Sequence, residues 1–525
     1  MKRMKRMKYY ALCIINYALS SCLLFTACTL DEEPRDQIPE EEAYTNPTTL
    51  YQNTVAMLYT YIGGNADGQG LQGTCRGIYD LQTFGSDEAM VPTRGGDWYD
   101  GGIWQDLYRH SWGAGHEMLK NSWLYLYKVI TLCNRSLKLL ENYKIMLSDY
   151  QYDSYQAEVR ALRAIYYWYL IDLFGNVPII TSTDVSMNEV QQSQRSQVFA
   201  FTVSELQKAL PLLADYNSVH QGDYYGRVTR PVALFVLAKL MLNAEVYTGT
   251  PQWQACIDYC DLIEAQGFWL ELNYERNFYV HNDDSNENIW TIVMDKDLYS
   301  NEMQYMFRSW HYRHAAAYGF GGENGACATK KVLEVSKFET PEQDRRLEKN
   351  YWTGVVTDRN NNIVTDRSGN PLEYHPVMVK IDLSGSKYVE TAGARMKKYD
   401  IDKNALKDGK LMDNDIVLFR FADVLLMRAE AKLRAGQDGQ DDYDCVRLRA
   451  GMPERPITLE NLLDERLMEL CWEGWRRQDM IRFHCYKSLY EGINPVDESD
   501  GHTCLFPIPG DIITLNPNIK QNKGY

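Results

Sequence analysis

The chain has 525 residues, room for three or four domains at roughly 150 residues each, so length excludes little beyond a mini-protein. Hydrophobic residues make up 45% and charged residues 24%, the balance of a globular protein with a sizeable core, which argues against wholesale disorder. A formal charge of −16 argues against duplex nucleic acid or an anionic lipid surface as partner, because both recruit clustered Lys and Arg.

In chain order, Lys2, Arg3, Lys5, Arg6 and Lys8 precede an apolar run over 9–25 and the small residues Thr26 and Ala27, the layout of a secretory signal. The run is short for a membrane span of about 20 residues. Cys28 follows Phe25-Thr-Ala directly, an arrangement resembling the lipobox at which bacterial lipoproteins are cleaved and lipidated. The expected organisation is a signal over 1–27, lipidation at Cys28, and a flexible acidic tether over 28–45 opened by Thr29–Asp36. Periodicity of 3.6 predicts helices over Thr48–Tyr61, Glu117–Tyr143, Tyr155–Phe174, Gln194–Leu213, Pro231–Val246, Ile416–Ala435 and Thr458–Cys485. A further helix is expected to open on Thr250 as N-cap with Pro251 at its first position and to run to Gly267. Gly175 stands where the Tyr155–Phe174 helix should stop. Short strand-like runs occur at Asn288–Met294 and Asp415–Phe419. The helical scaffold thus occupies about 46–62, 117–267 and 412–486, and loops rich in Gly, Asn and Asp fill about 63–115 and 271–411. Removing Cys13, Cys22 and Cys28 from twelve cysteines leaves nine, an odd number that favours buried free thiols over a disulfide framework.

Catalytic signatures are absent. Gly68-Gln-Gly70-Leu-Gln-Gly73 fits G-x-G-x-x-G formally, but it follows a helix and opens none, so it reads as a flexible loop. His116-Glu117 lacks the second histidine of a zinc protease motif, and His311 with His314 read as a surface pair in an aromatic loop. Asp283, Asp284, Asn286 and Glu287, or Asp413, Asn414 and Asp415, supply oxygen donors that could hold Ca²⁺ but lack EF-hand spacing and read as solvated turns; the metal question stays open. Acidic pairs are too numerous for counting to exclude a two-carboxylate glycosidase. The positive signal is aromatic: the run from Asp97 through Trp98, Tyr99 and Asp100 to Trp104, flanked by Arg94, and a second group of Tyr299, Trp310, Tyr312 and Tyr318. Rings in glycine-rich loops among Asp, Asn and Arg are what a carbohydrate site uses, stacking on the C–H faces of sugars while polar groups bond the hydroxyls. Anchoring of long loops by the same rings is the competing reading, and for Trp104, spaced to face Tyr108 and Trp112, it is the preferred one.

These residues resemble the SusD/RagB family of nutrient-binding outer-membrane lipoproteins. The resemblance rests on the lipobox and tether, Ser86-Asp87-Glu88, the Arg94–Trp104 loop and Ala157–Ile180. It continues through Asn414–Ala431, Glu465–Phe483, and the closing Pro507-Ile-Pro-Gly, Asn516-Pro517 and Gln521–Tyr525. Cys471 and Trp475 depart from the expected pattern. The resemblance implies a mainly α fold over a single domain, 46–525, with tetratricopeptide-like helix pairs, long irregular loops and a few short strands forming the ligand face. It further implies a non-catalytic protein without cofactor, anchored by lipid in the outer membrane and exposed at the cell surface. There it would bind oligosaccharide or polysaccharide and deliver it to a SusC-like TonB-dependent transporter. The Arg94–Tyr99 stretch matches a pattern near the family's binding face. The expected ligand-binding set is Asn65, Asp67, Arg94, Trp98, Tyr99, Tyr299, Trp310 and Tyr312. A peptide-importing relative, a surface glycoside hydrolase and an adhesive lipoprotein are the alternatives.

Overall fold

The computed structural model describes residues 44, 46–64, 66–216, 222–299, 302–489 and 498–525. The expected signal, Cys28 and nearly all of the tether, together with Asn65, lie outside them. The chain divides into two units, Met1–Leu50 and Tyr51–Tyr525, and the scaffold, the loops and the candidate site all belong to the second.

The scaffold is a succession of packed helices. The first long pair is α1 (Glu117–Asn142) and α2 (Asp149–Leu173). Ser148 opens α2 with a capping box, its Oγ accepting from Gln151 N at 3.3 Å while Gln151 Oε1 accepts from Ser148 N at 3.1 Å. Gly175, at φ +73°, ends the segment as expected. Tyr166, Tyr167, Trp168 and Tyr169 are all buried, so this block of rings belongs to helix packing. Then come α3 (Arg195–Ala209), α4 (Arg230–Leu242) and α5 (Trp253–Glu264). Helix α4 is buried on every side from Pro231 to Leu242, as its nearly uniform apolar sequence requires, and packs on α5. The α5 helix starts later than expected, with Gln252 and not Thr250 in the N-cap position.

Two predicted helices prove to be composite. Ile416–Arg420 is a strand, paired antiparallel with Asn288–Ile292, and the helix proper is α6 (Phe421–Arg434). Ile416, Val417, Leu418 and Phe419 are buried without alternation, a run whose periodicity cannot separate strand from helix. The C-terminal segment forms α7 (Gln440–Arg449), not anticipated, then α8 (Leu459–Leu470) and α9 (Arg476–Arg482). Between α8 and α9 the chain turns through left-handed Trp472 and Gly474, at φ +64° and +77°.

A buried ionic framework ties the scaffold to the loops. Arg420 reaches Glu287 at 2.8 Å, Glu469 at 2.5 Å and Glu473 at 2.8 Å. Arg449 shares Glu287 and Glu469, Arg346 bonds Glu465 and Glu469, and Lys398 meets Glu473 at 2.5 Å. Burial raises the Glu469 carboxyl, but Arg449, Arg420 and Arg346 more than offset it and hold the group far below the usual range. Arg476 pairs with Asp87 and Arg477 with Asp172, while the Trp472 N–H donates to Glu88 at 2.6 Å. The motif segments Ser86–Glu88, Asn414–Ala431 and Glu465–Phe483 are therefore joined by buried charge pairs whose two halves lie in different segments. Breaking one half would strand an uncompensated charge, at about 3–5 kcal/mol. Trp475, one of the two departures, stacks on Trp168 at 5.9 Å with Lys239 over its ring at 4.2 Å.

The loops are built from two-stranded ladders and one internal repeat. Val356, Val364 and Leu372, eight residues apart, bond to each other in a ring: Val356 N to Leu372 O, Val364 N to Val356 O and Leu372 N to Val364 O, at 2.8–3.0 Å. Asp358 and Asp366 close the intervening turns, each Oδ1 accepting from two backbone N–H groups. The nine cysteines beyond Cys28 are free, and Cys75, Cys133, Cys256, Cys260, Cys327 and Cys471 are buried. Among the described residues no helix is long and apolar enough to cross a membrane.

Candidate functional site

The Ala66–Arg76 loop is tightly tied and not flexible. Gly68 N donates to Cys75 O and Leu71 N to Ile62 O, both at 2.7 Å, and a Cβ at Gly70 would lie 2.1 Å from Gly63 O. The three glycines of the formal nucleotide motif all have positive φ, which is the physical reason for their presence. The result is a fixed shelf that presents Asp67 and Arg76. The Arg76 guanidinium bridges Asp67 at 2.8 Å and Asp100 at 3.0 Å, and all three remain partly open to solvent. Behind it Arg76 N donates to Asp80 Oδ2 at 2.6 Å, and Asp80 forms a fully buried pair with Arg308 at 2.8 Å. Burial raises the Asp80 carboxyl, against the pull of Arg308.

Next to this bridge the Arg94–Trp104 loop folds back on itself. Arg94 N and Asp97 O, then Asp97 N and Arg94 O, bond across Gly95-Gly96 at 2.9 and 3.2 Å. Trp98 follows with φ +61°, its Nε1 donating to Glu323 O at 2.8 Å and its ring set edgewise to Trp104 at 5.8 Å. A Cβ at Gly325 would come within 2.5 Å of the Trp98 ring, so glycine there makes room for the indole. Trp104 is buried, as expected, and donates Nε1 to Asp100 Oδ2 at 2.8 Å. Arg76, Trp98 and Asp100 all hold left-handed backbone, at φ +57°, +61° and +44°, a cost of about 1–2 kcal/mol each that the surrounding bonds sustain.

The expected ligand residues separate into two groups. Asp67, Trp98 and Tyr99 are brought together: Trp98 is half-buried and Tyr99 is 54% exposed beside Asp100. Tyr299 is 48% exposed and lines a neighbouring cleft to which the same shelf contributes Gln69. Arg94 does not face solvent. It is 5% exposed, and its guanidinium donates to the carbonyls of Gly325, Val389 and Ala392 at 3.3, 2.9 and 3.0 Å, locking three loops together. Burial lowers its pKa. Trp310 is also internal: fully buried, it donates Nε1 to Met396 O at 2.6 Å and stacks on His314 at 4.0 Å and 9°. Tyr312 is half-buried and its hydroxyl donates to Asp97 at 2.8 Å, bracing the Trp98 loop. His311 and His314 are buried and not on the surface; His311 meets Glu390 at 3.2 Å, and burial pushes His314 down to about 3.

The acidic groups considered for Ca²⁺ are occupied by protein donors. Lys296 bonds Asp413, Met294 N donates to Asp415 at 2.7 Å, and Arg276 pairs with Asp284 at 2.7 Å. Among the described residues no group of three His, Cys, Asp or Glu could hold a metal ion. Arg76 and Asp100 were not among the expected ligand residues, although an arginine in a glycine-rich loop between aspartates was a legible signal.

Two family models match the chain: the SusD family over residues 286–525, and a family described as starch-binding and associating with the outer membrane over residues 80–242. The chain belongs to the SusD family. It is 26% identical over 502 residues to the starch-binding protein SusD of Bacteroides thetaiotaomicron, covering 87% of each chain, and 24% identical to a SusD-like protein of Bacteroides ovatus, covering 89% of this chain and 82% of that one. Among solved structures, a laminarin-binding SusD-like protein superposes with a TM-score of 0.71 at 21% identity, over 92% of this chain and all of that one. Surface glycan-binding protein A from Bacteroides thetaiotaomicron, in complex with laminarihexaose, superposes with a TM-score of 0.70 at 19% identity, over 91% of this chain and all of that one. In this SusD family member the model over 286–525 contains Arg476 and Arg477, and the model over 80–242 contains their partners Asp87 and Asp172.

Proposed function

We propose that this SusD family member binds a glycan without cleaving it, at the outer face of the outer membrane, and hands it to a SusC-like TonB-dependent transporter. The observation that carries the reading is the pairing of a half-open indole, Trp98, and an exposed phenol, Tyr99, with the polar Asp67–Arg76–Asp100 bridge on a rigid shelf. Such a surface offers a ring face to the apolar side of a pyranose and charged hydrogen-bonding groups to its hydroxyls. Rigid support lowers the entropy cost of binding a flexible chain. A glycosidase would need two carboxyl groups flanking the bond to be cut, one of them a proton donor. Here both carboxylates of the cluster are engaged by the same guanidinium. Relatives that carry starch-binding, laminarin-binding and surface glycan-binding in their names support the same class of ligand. Lipidation at Cys28 would hold the protein at the membrane on the tether, and Tyr299 continues the aromatic surface; Asn65 stays a candidate by its place in the sequence alone.

Affinity electrophoresis of the full-length lipoprotein in detergent, through gels containing soluble polysaccharides, tests the reading. Retardation by at least one polysaccharide with no release of reducing sugar over days is expected, together with co-purification of a β-barrel transporter from outer membranes. Release of sugar, or free migration in every polysaccharide gel, would overturn it.

A further inference from the structure

The shelf that presents Asp67 and Arg76 also contributes Gln69 to a separate cleft of about 690 Å³, large enough for sugar units. Its walls hold the rings of Tyr51, Tyr59, Tyr61, Tyr225 and Tyr299. Two of these are fixed by their hydroxyls: Tyr59 donates to Glu158 at 2.8 Å and accepts from Val228 N at 2.9 Å, while Tyr225 bonds Asp415. Tyr61 and Tyr299 make no such side-chain bond among the described residues, so their phenols are available to a ligand.

The charge of the cleft runs against that of the chain. The protein carries −16 overall, yet among the described residues the lining includes Lys128 and Arg227 and no carboxylate. Arg227 is neutralised from behind: its Nε donates to Glu158 at 3.0 Å, and its guanidinium lies over the Tyr51 and Tyr224 rings at 5.1 and 4.2 Å. Lys128 is different. It is exposed, its Nζ sits 4.9 Å over the Tyr61 ring, and among the described residues it has no acidic partner. An ammonium held over a phenol face, at the rim of an aromatic cleft without carboxylates, favours a ligand with a ring to stack and a negative charge to place.

We infer that this cleft is a second subsite for an acidic sugar unit, one bearing a carboxylate or a sulfate, with Tyr61 and Tyr299 against its ring and Lys128 on its charge. The inference deepens the glycan-binding reading and rests on it. The Trp98 cluster, where Asp67 and Asp100 flank the Arg76 guanidinium and Asp97 accepts from Tyr312, would take the neutral part of the chain.

The test is a ratio. Calorimetric titration of the full-length lipoprotein compares oligogalacturonate, oligoglucuronate and oligomannuronate with their methyl esters, and a sulfated galactan oligosaccharide with its desulfated form. At least one acidic ligand is expected to bind about fivefold tighter than its neutral counterpart, the size of one partly exposed ion pair. The preference should vanish in Lys128→Gln, reverse in Lys128→Glu, shrink between 0.05 and 0.5 M NaCl, and persist in Trp98→Ala even as both affinities fall. The carboxylate and sulfate arms identify the acidic group. Equal binding of every acidic and neutral pair, or a preference that survives Lys128→Gln, would overturn the inference while leaving the glycan reading intact. Failure of every ligand, charged or neutral, would overturn the inference, and together with free migration in every polysaccharide gel it would overturn the glycan reading as well.

Discussion

Trp98 and Trp310 look alike in the sequence, each a tryptophan in a glycine-bearing loop with tyrosine and a charged neighbour nearby, and both donate Nε1 to a backbone carbonyl. They differ in what covers their faces. Trp310 is stacked against His314 at 4.0 Å, set edge-on to Trp352 at 5.7 Å and Tyr318 at 5.2 Å, and is fully buried. Trp98 has Trp104 at its edge and Gly325 beneath, and stays half-buried. A satisfied indole N–H therefore does not distinguish the buried ring from the half-open one; the number of covered faces does.

The contrast can be broken most forcibly at Trp310. Trp310→Ala should cost about 3–5 kcal/mol of stability, read by denaturant unfolding, because the surrounding rings cannot collapse into the space. A loss below about 1 kcal/mol would place Trp310 with the surface rings. A pH series separates the two regions by a different lever. Burial raises Asp415 to about 7 and Glu88 to about 8. Between the ordinary carboxylate value near 4 and these values, the folded protein keeps protons that the unfolded chain has released. Stability should therefore fall as pH rises across that window, by up to about 1.4 kcal/mol per unit for each group, and level off above it. Asp415→Asn should flatten the slope up to about pH 7. Glycan affinity should stay level over the same range, since stacking rings do not titrate there; a parallel decline would tie the site to the buried acids. Gly325→Ala should weaken glycan binding by about tenfold with little change in stability, since its methyl group displaces the Trp98 ring. Tyr99→Ala should have the smallest effect, about threefold in affinity, measured by the same titration.

Much of the scaffold was legible because helical periodicity and glycine stops are local: α1, the end of α2 and Gly175 fall where expected, while α2 begins at Asp149, earlier than the expected Tyr155. The strand-like runs Asn288–Met294 and Asp415–Phe419 are the paired strands of the structure, but periodicity also carried the helix expectation back to Ile416, and the break at Trp472 depends on a left-handed turn that no periodicity announces. The candidate site was legible in its rings but not in their exposure. Arg94 and Arg76 are both arginines in glycine-rich loops, yet one is consumed by carbonyls of three distant segments and the other faces solvent between two aspartates. That difference depends on contacts more than 200 residues apart in the chain, and sequence spacing carries no trace of it.

The most direct test of the account is a calorimetric titration of wild-type and Trp98→Ala lipoprotein with the polysaccharide that most retards the wild type, with the Tm of each recorded alongside. The account predicts at least a tenfold loss of affinity, about 1.4 kcal/mol, with the Tm unchanged within about 2 °C. Unchanged affinity, or a loss that appears only together with a lowered Tm, would contradict it.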